Sequence, residues 1–314
     1  MAGKPASDVP FQIVRYAEGE RAGCGIVIVD RLFDLDAIPG CEDWRDSLDL
    51  LNDWDRAGPR LIDFAKRAIT EEGRDLATAR LLAPIQVPGE IFCAGANYLD
   101  HIDEMNRAMN HVATPTFKDL GEKPWHFIKS SRSAVIGPGD PIRIPRYCEE
   151  LDWEIELAVI IGRPGRDIAR ADALDHVAGY AIANDLSLRP AVHRSAIPVG
   201  SPFHYDFLSA KSFDGACPLG PAITPACAIP DPHALGLKLW VNGALMQDSS
   251  TAQMMFGIEE QIEMLSSRLT LHPGDVILTG TPAGVGVARG LSLKPGDEVR
   301  MWIERIGEMT NPVV

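Results

Sequence analysis

Between Leu151 and Ile161 the chain reads LDWEIELAVII, and this run constrains the fold more than any other. Apolar and acidic residues alternate as far as Leu157, so a strand sets Leu151, Trp153, Ile155 and Leu157 on one face and Asp152, Glu154 and Glu156 on the other. From Ala158 to Ile161 both faces are apolar, the mark of a strand buried on two sides. An acidic face entering such a strand is costly, because neighbouring carboxylates at low dielectric repel one another or take up protons. Either these acids form a solvated face, or a hard cation lies among them. Asp185 closes the apolar run GYAIAN where a strand would end and offers a further carboxylate to the second alternative. Three oxygen ligands with no Cys or His at ligand spacing suit Mg²⁺ or Mn²⁺, with Ca²⁺ as a further option, and leave coordination positions for water or substrate.

Three other segments carry candidate chemistry. In NYLDHIDE, His101 and Glu104 stand three apart, which on a helix puts them on one face. A carboxylate beside an imidazole orients it and raises its basicity, as activation of a water requires; a plain surface contact is the alternative. In FLSAKSF, Lys211 is a lone cation in an apolar, strand-like run and needs an anionic partner, either a substrate carboxylate or enolate or one of the acids above. DVILTGTPAGVG is a strand entering a loop whose glycines 280, 284 and 286 permit close backbone approach to an anion. Its order matches no nucleotide-binding loop, and Thr281 with its amide is a candidate for holding a substrate carboxylate. There is no Gly-x-Ser-x-Gly elbow and no His-Glu-x-x-His helix.

Composition removes whole classes of function. A formal net charge of -14 over 314 residues repels nucleic acid and anionic membranes, and disfavours an anionic substrate unless a bound cation reverses the local sign. No apolar run approaches the roughly 20 residues of a membrane helix, and MAGKPASDVPFQ lacks the apolar core of a secretory signal, so a cytoplasmic protein is expected. Six cysteines without Cys-x-x-Cys spacing are expected to be buried thiols.

Along the chain, FQIVRYA and CGIVIVD read as a hairpin, followed by helical patterns over Ser47–Trp54 and Arg60–Ile69 that Gly58-Pro59 should separate. This predicts a small N-terminal α/β domain over residues 1–82. From residue 83 to 314, β-like runs dominate: EIFCAGA, HFIKSS, SAVIG, WEIELAVIIG, AGYAIAND, LGLKLWVNG, DVILTG and EVRMWIE. Helices are expected near Tyr98–Ala108, Ala171–Ala178 and Ile258–Ser267. The fold class is mainly β with α/β elements.

Taken in order, GANYLDHIDEM, GPGDPI, LDWEIELAVIIG, GYAIANDLS, AKSF, PLGP, VNG, QDSSTAQMMF, PGDVILTGTPAGVG, LKPGDEV and NPVV closely resemble the fumarylacetoacetate hydrolase superfamily over about residues 88–314. The resemblance implies a β-sandwich roll, a homodimer and a Mg²⁺ or Mn²⁺ site held by Glu154, Glu156 and Asp185. It further implies a catalytic dyad of His101 and Glu104, and substrate contacts at Lys211, Thr281 and Tyr98. The implied reaction is hydrolysis of a C–C bond in an acylpyruvate-like 2-oxo acid through a stabilised enolate. Oxaloacetate decarboxylation, or isomerisation or hydration of a dienedioate, are the alternatives on the same site. One departure bears on substrate. Where many members read Ser-Ala-Arg-Asp, a hydrophobic residue and Gln, this chain reads Ser187-Leu-Arg-Pro190-Ala-Val192, which leaves His193 or His204 to supply the missing polar contact. The lysine at position 129 also lacks the Pro that often follows it.

Overall fold

The computed structural model describes residues 11–68, 72–108, 115–147 and 150–314. The N-terminal hairpin forms as β1 (Gln12–Glu18) and β2 (Arg21–Ile28), and β3 (Arg31–Asp34) extends it. Helices α1 (Ser47–Asn52) and α2 (Trp54–Ala65) follow. The break expected at Gly58-Pro59 falls at Asp53 instead, and Pro59 lies inside α2. An interior proline costs a helix about 3 kcal/mol. Here α2 buries Ala57, Gly58, Leu61 and Ala65 along one face, and that packing outweighs the lost hydrogen bond.

The remaining chain supplies β4 (Ile91–Ala94), α3 (Leu99–Ala108), β5 (His126–Lys129), β6 (Ile155–Ile161), β7 (Val177–Asn184), α4 (Phe207–Lys211), β8 (Cys217–Pro225), β9 (Gly236–Val241), β10 (Ala244–Ser250), α5 (Ile258–Ser266), β11 (Val276–Leu278), β12 (Glu298–Ile303) and β13 (Gly307–Pro312). A large sheet runs β3-β2-β1-β8-β7-β6-β11-β4-β5, with short strands at its margins, and a four-stranded sheet runs β10-β9-β12-β13. The fold is sheet-rich and mixed, as the sequence indicates. β1 meets β8 with Ile13 opposite Ile223, and Leu81–Leu82 pairs with β1. The residues before 83 are therefore hydrogen-bonded into the same sheet as those after.

Burial follows the sequence periods. Every residue of β6 and β7 is buried, whereas β9 and β12 alternate, sending Leu237, Leu239, Val241, Val299, Met301 and Ile303 inward. The helix expected at Ala171–Ala178 is a 3-10 turn over Arg170–His176, because Val177 already belongs to β7. Within residues 207–213, read as strand-like, Phe207–Lys211 instead form α4. The Asp206 side chain accepts the Ser209 N–H at 3.0 Å and caps that helix, and a cap overrides the apolar pattern of five residues. Cys24, Cys41, Cys93 and Cys217 are buried thiols and Cys227 is half-buried; Cys148 lies outside the described residues. Among the described residues no helix is long and apolar enough to cross a membrane.

His126, at the start of β5, gives a stability prediction. Its Nδ1 is buried without a partner, its Nε2 lies 3.3 Å from Gln261 Oε1, and burial pushes its pKa down from 6.5 to about 4. The folded state therefore prefers the neutral ring. Its contribution is complete above the unfolded-state pKa and is lost as pH falls from 6.5 toward 4. Urea unfolding at pH 7 and pH 5 is expected to show a drop in stability that is about 2 kcal/mol smaller in His126→Phe than in the native chain. Equal drops would remove His126 as the cause.

Candidate active site

Antiparallel pairing of β6 with β7 sets Ile155 opposite Asn184, so the residue leaving β7, Asp185, lies beside the residue entering β6, Glu154. Their backbones are joined directly, the Asp185 N–H donating to Glu154 O at 2.9 Å, and the Asn184 side chain accepts the Glu154 N–H at 2.9 Å. Glu156, two residues on, shares the face of Glu154. One oxygen each from Glu154, Glu156 and Asp185 lies within 4.8 Å of the others, and all three side chains are buried. The solvated strand face is thus not what forms. Asp152, which the alternation places with them, belongs instead to the short strand Leu151–Asp152, paired with Ser187–Leu188.

The charges answer one another. Lys211 Nζ lies 2.8 Å from Glu154 Oε2 and 2.8 Å from Asp185 Oδ2, which makes it the internal ion pair that its apolar setting demanded. Arg189 reaches Asp152 at 2.7 Å and Glu154 Oε1 at 2.5 Å. Beneath them Lys129 donates to the carbonyls of Leu186, Lys211 and Ala216 at 2.9, 2.7 and 2.9 Å. With its three protons so committed, its 2.7 Å approach to Asp185 Oδ1 is an ion pair without a hydrogen bond, and that oxygen is left buried and unbonded. Burial works to raise the Glu154 carboxyl, but Lys211 and Arg189 outweigh it and hold it well below the usual range. Glu156 goes the other way: burial, then the Asp185 and Glu154 charges, push it well above. Burial works to lower the Lys211 ammonium, and Asp185 and Glu154 more than reverse that.

The glycine loop serves these acids. Gly280 N–H donates to Glu156 at 2.6 Å, Gly284 N–H to Glu104 at 2.7 Å and Gly286 N–H to Asp152 at 2.6 Å. The anions that the glycines approach are therefore the protein's own carboxylates. Gly284 has φ of 105°, and a Cβ there would meet Met246 O at 2.1 Å, so no other residue fits.

On α3, His101 and Glu104 share a face, with Nδ1 3.9 Å from Glu104 Oε2. At that distance they are electrostatic neighbours, and His101 Nδ1 is buried without a hydrogen bond. Burial works to raise the Glu104 carboxyl, but His101 and the Gly284 N–H hold it below its ordinary value. Asn97 fixes the approach to α3: its amide donates to Phe256 O at 3.0 Å and Thr279 O at 2.8 Å, and accepts the Phe256 N–H at 2.9 Å.

A cavity of about 160 Å³ opens onto this arrangement, lined by His101, Glu154, Glu156, Asp185, Lys211 and Thr281, by Arg189, and by a wall of small and aromatic residues. Thr281 donates its hydroxyl to Ile155 O and accepts from Gln247, both at 2.9 Å. Tyr98 is wholly buried off the cavity wall, its hydroxyl unbonded. His193 and His204 also stand off the wall, stacked on each other with ring centroids 5.0 Å apart. Sequence reasoning passed over Arg189 and Asn97. Arg189 follows Asp185 by four residues, and its basic character among apolar neighbours is the signal that was there to read.

A buried carboxylate triad with lysine and arginine counter-ions, a helical His/Glu pair and a small cavity on a sheet-rich mixed fold define a class of enzymes that handle small organic acids. Residues 90–314 match the model of the fumarylacetoacetate (FAA) hydrolase C-terminal domain, and the chain belongs to that family. It is similar to a mitochondrial oxaloacetate tautomerase of Xenopus laevis, 43% identical over 261 residues covering 82% of this chain and 76% of that protein. It is also similar to the oxaloacetate tautomerase YisK of Bacillus subtilis, 35% identical across 96% of this chain and 100% of that protein. Among solved structures, a maleylpyruvate hydrolase from Sphingobium in complex with manganese(II) and pyruvate superposes with a TM-score of 0.72 at 32% identity, covering 96% of this chain and 98% of that one.

Proposed function

We propose that this chain catalyses enol–keto tautomerisation of a small 2-oxo dicarboxylic acid of the oxaloacetate type. The observation that carries the reading is Lys211 and Arg189 paired directly with a buried carboxylate triad, all of them lining one small cavity. Relatives 35% and 43% identical that bear the name oxaloacetate tautomerase support it.

Glu154, Glu156 and Asp185 would hold a divalent cation. Their fit to one rests on three converging oxygens, on the unbonded Asp185 Oδ1, and on the burial and carboxylate repulsion that together lift Glu156. A maleylpyruvate hydrolase 32% identical to this chain that was solved with manganese(II) supports a divalent cation on this fold. Bound there, Mg²⁺ or Mn²⁺ supplies Lewis acidity toward a 2-oxo carboxylate and offsets the negative charge of the chain. The protein's own groups do the rest. Lys211 and Arg189 balance charge that develops on the enol oxygen. The enol O–H bond breaks, a C3–H bond forms, and no water is consumed.

A second reading is favoured by His101 and Glu104. An imidazole beside a carboxylate can take a proton from a water molecule as that water attacks a distal carbonyl, hydrolysing a C–C bond of an acylpyruvate. His101→Ala separates the two. Acetylpyruvate hydrolysis is expected to fall by about 10² to 10⁴, while ketonisation of oxaloacetate enol, followed by ultraviolet absorbance, continues. Loss of both would make His101 the proton carrier and overturn this division of labour.

A further inference from the structure

The cavity has a charged floor and a wall of another character. Trp125, Phe127 and Phe207 form that wall, with ring centroids 5.1 Å apart for Trp125 and Phe207, 5.5 Å for Phe127 and Phe207, and 5.7 Å for Trp125 and Phe127. Tyr205 continues the stack 6.1 Å beyond Phe207.

The wall is held in place by the backbone around it. The edge of the Trp125 indole abuts Gly95, where a Cβ would come within 2.1 Å of two ring carbons, and the Gly95 N–H donates to Trp125 O at 3.0 Å. A side chain at 95 would expel the indole. On the other side, Val192 O accepts the Asp206 N–H at 2.9 Å, and Asp206 caps the helix that begins with Phe207. Despite this anchoring Trp125 remains 48% exposed, with the cavity on its free side.

Floor and wall meet directly. Lys211 Nζ lies 5.1 Å from the centroid of Phe127. A ligand whose oxo-acid end lies at Lys211 therefore has its remaining atoms against the rings. Among the described residues that line the cavity, the lysine and arginine are Lys211 and Arg189 at the charged floor, and the electron-rich faces of the aromatic rings repel a second carboxylate while they stack with a planar unsaturated group.

We propose that Trp125, Phe127 and Phe207 form a subsite for a planar aryl or conjugated substituent, so that the chain accepts aryl-substituted 2-oxo acids as well as small dicarboxylates. The inference rests on the proposed function, in which a 2-oxo acid occupies the charged floor. The reaction stays balanced: the enol O–H bond breaks, C3 gains a proton, and no oxidant or second reactant takes part.

Phenylpyruvate is the probe. With Mn²⁺ present, ketonisation of its enol and of oxaloacetate enol would be compared in the native chain and in Trp125→Ala, together with calorimetric binding of phenylpyruvate. The native chain is expected to bind and ketonise phenylpyruvate. Trp125→Ala should lower the ratio of kcat/KM for phenylpyruvate to that for oxaloacetate by about tenfold. An unchanged ratio overturns the subsite, as does a native chain that turns over oxaloacetate but neither binds nor ketonises phenylpyruvate. If neither enol is turned over, the tautomerase reading fails and calorimetry decides the rest. Phenylpyruvate binding that Trp125→Ala weakens keeps the subsite; absence of binding removes it.

Discussion

Asp185→Asn is expected to lower kcat/KM by about 10³ or more and to abolish stabilisation of the protein by Mn²⁺. The substitution keeps the shape of the side chain and removes its charge. Asp185 contributes one of three converging oxygens, and it is also the carboxylate shared by Lys211 at 2.8 Å and Lys129 at 2.7 Å. A neutral amide leaves two buried ammoniums facing a site that a dication would have to enter. Glu154 cannot compensate, because it is already held by Arg189 and Lys211. Thermal unfolding with and without Mn²⁺ reads the binding apart from turnover. A ligand at 100 times its Kd stabilises the native state by about 2.7 kcal/mol, which the native chain should show and the variant should lack. A chelator added to the native enzyme should reproduce the loss of turnover. A variant that Mn²⁺ still stabilises to the native extent would show that the ion, if it binds, binds elsewhere.

Much of this centre is legible in the amino-acid sequence, for local reasons. The run LDWEIELAVII declares both its acids and its burial, and His101 and Glu104 declare a shared helical face by their spacing. What the sequence hides is non-local. Arg189 meets partners 35 and 37 residues away, and nothing near it names them. The glycines at 280, 284 and 286 announce close approach, but not that Glu156, Glu104 and Asp152 are what approaches. The strand that ties the N-terminal hairpin into the large sheet, β8, is hidden by its composition. Pro218, Gly220, Pro221 and Pro225 spoil its strand pattern, though Cys217, Leu219 and Ile223 are fully buried between β1 and β7. The Lys211 segment misleads in the opposite sense, its apolar run suggesting a strand where the Asp206 cap makes a helix.

Lys129→Met is expected to destabilise the fold by about 3 to 5 kcal/mol, the usual result of breaking a buried charge pair from one side. Lys129 is 0% exposed, so no water takes over its bonds. Removing the ammonium leaves the carbonyls of Leu186, Lys211 and Ala216 without their donor, and Asp185 with one cation fewer. Each unsatisfied buried group costs about 1 to 3 kcal/mol. Partial collapse of the cavity keeps the sum from being additive. Arginine is not a remedy, because a planar guanidinium cannot direct three protons at three carbonyls gathered round one nitrogen. The three carbonyls belong to the segment after Asp185, to the end of α4 and to the approach to β8, so one nitrogen fastens together the pieces that carry the site. Lys211→Met, by contrast, removes an ammonium bonded chiefly to two carboxylate side chains that border a cavity, and its cost should fall on turnover more than on stability. Urea unfolding of both variants checks this: a loss below about 1 kcal/mol in Lys129→Met would mean that the three carbonyls find other donors, and that Lys129 does not hold the site together.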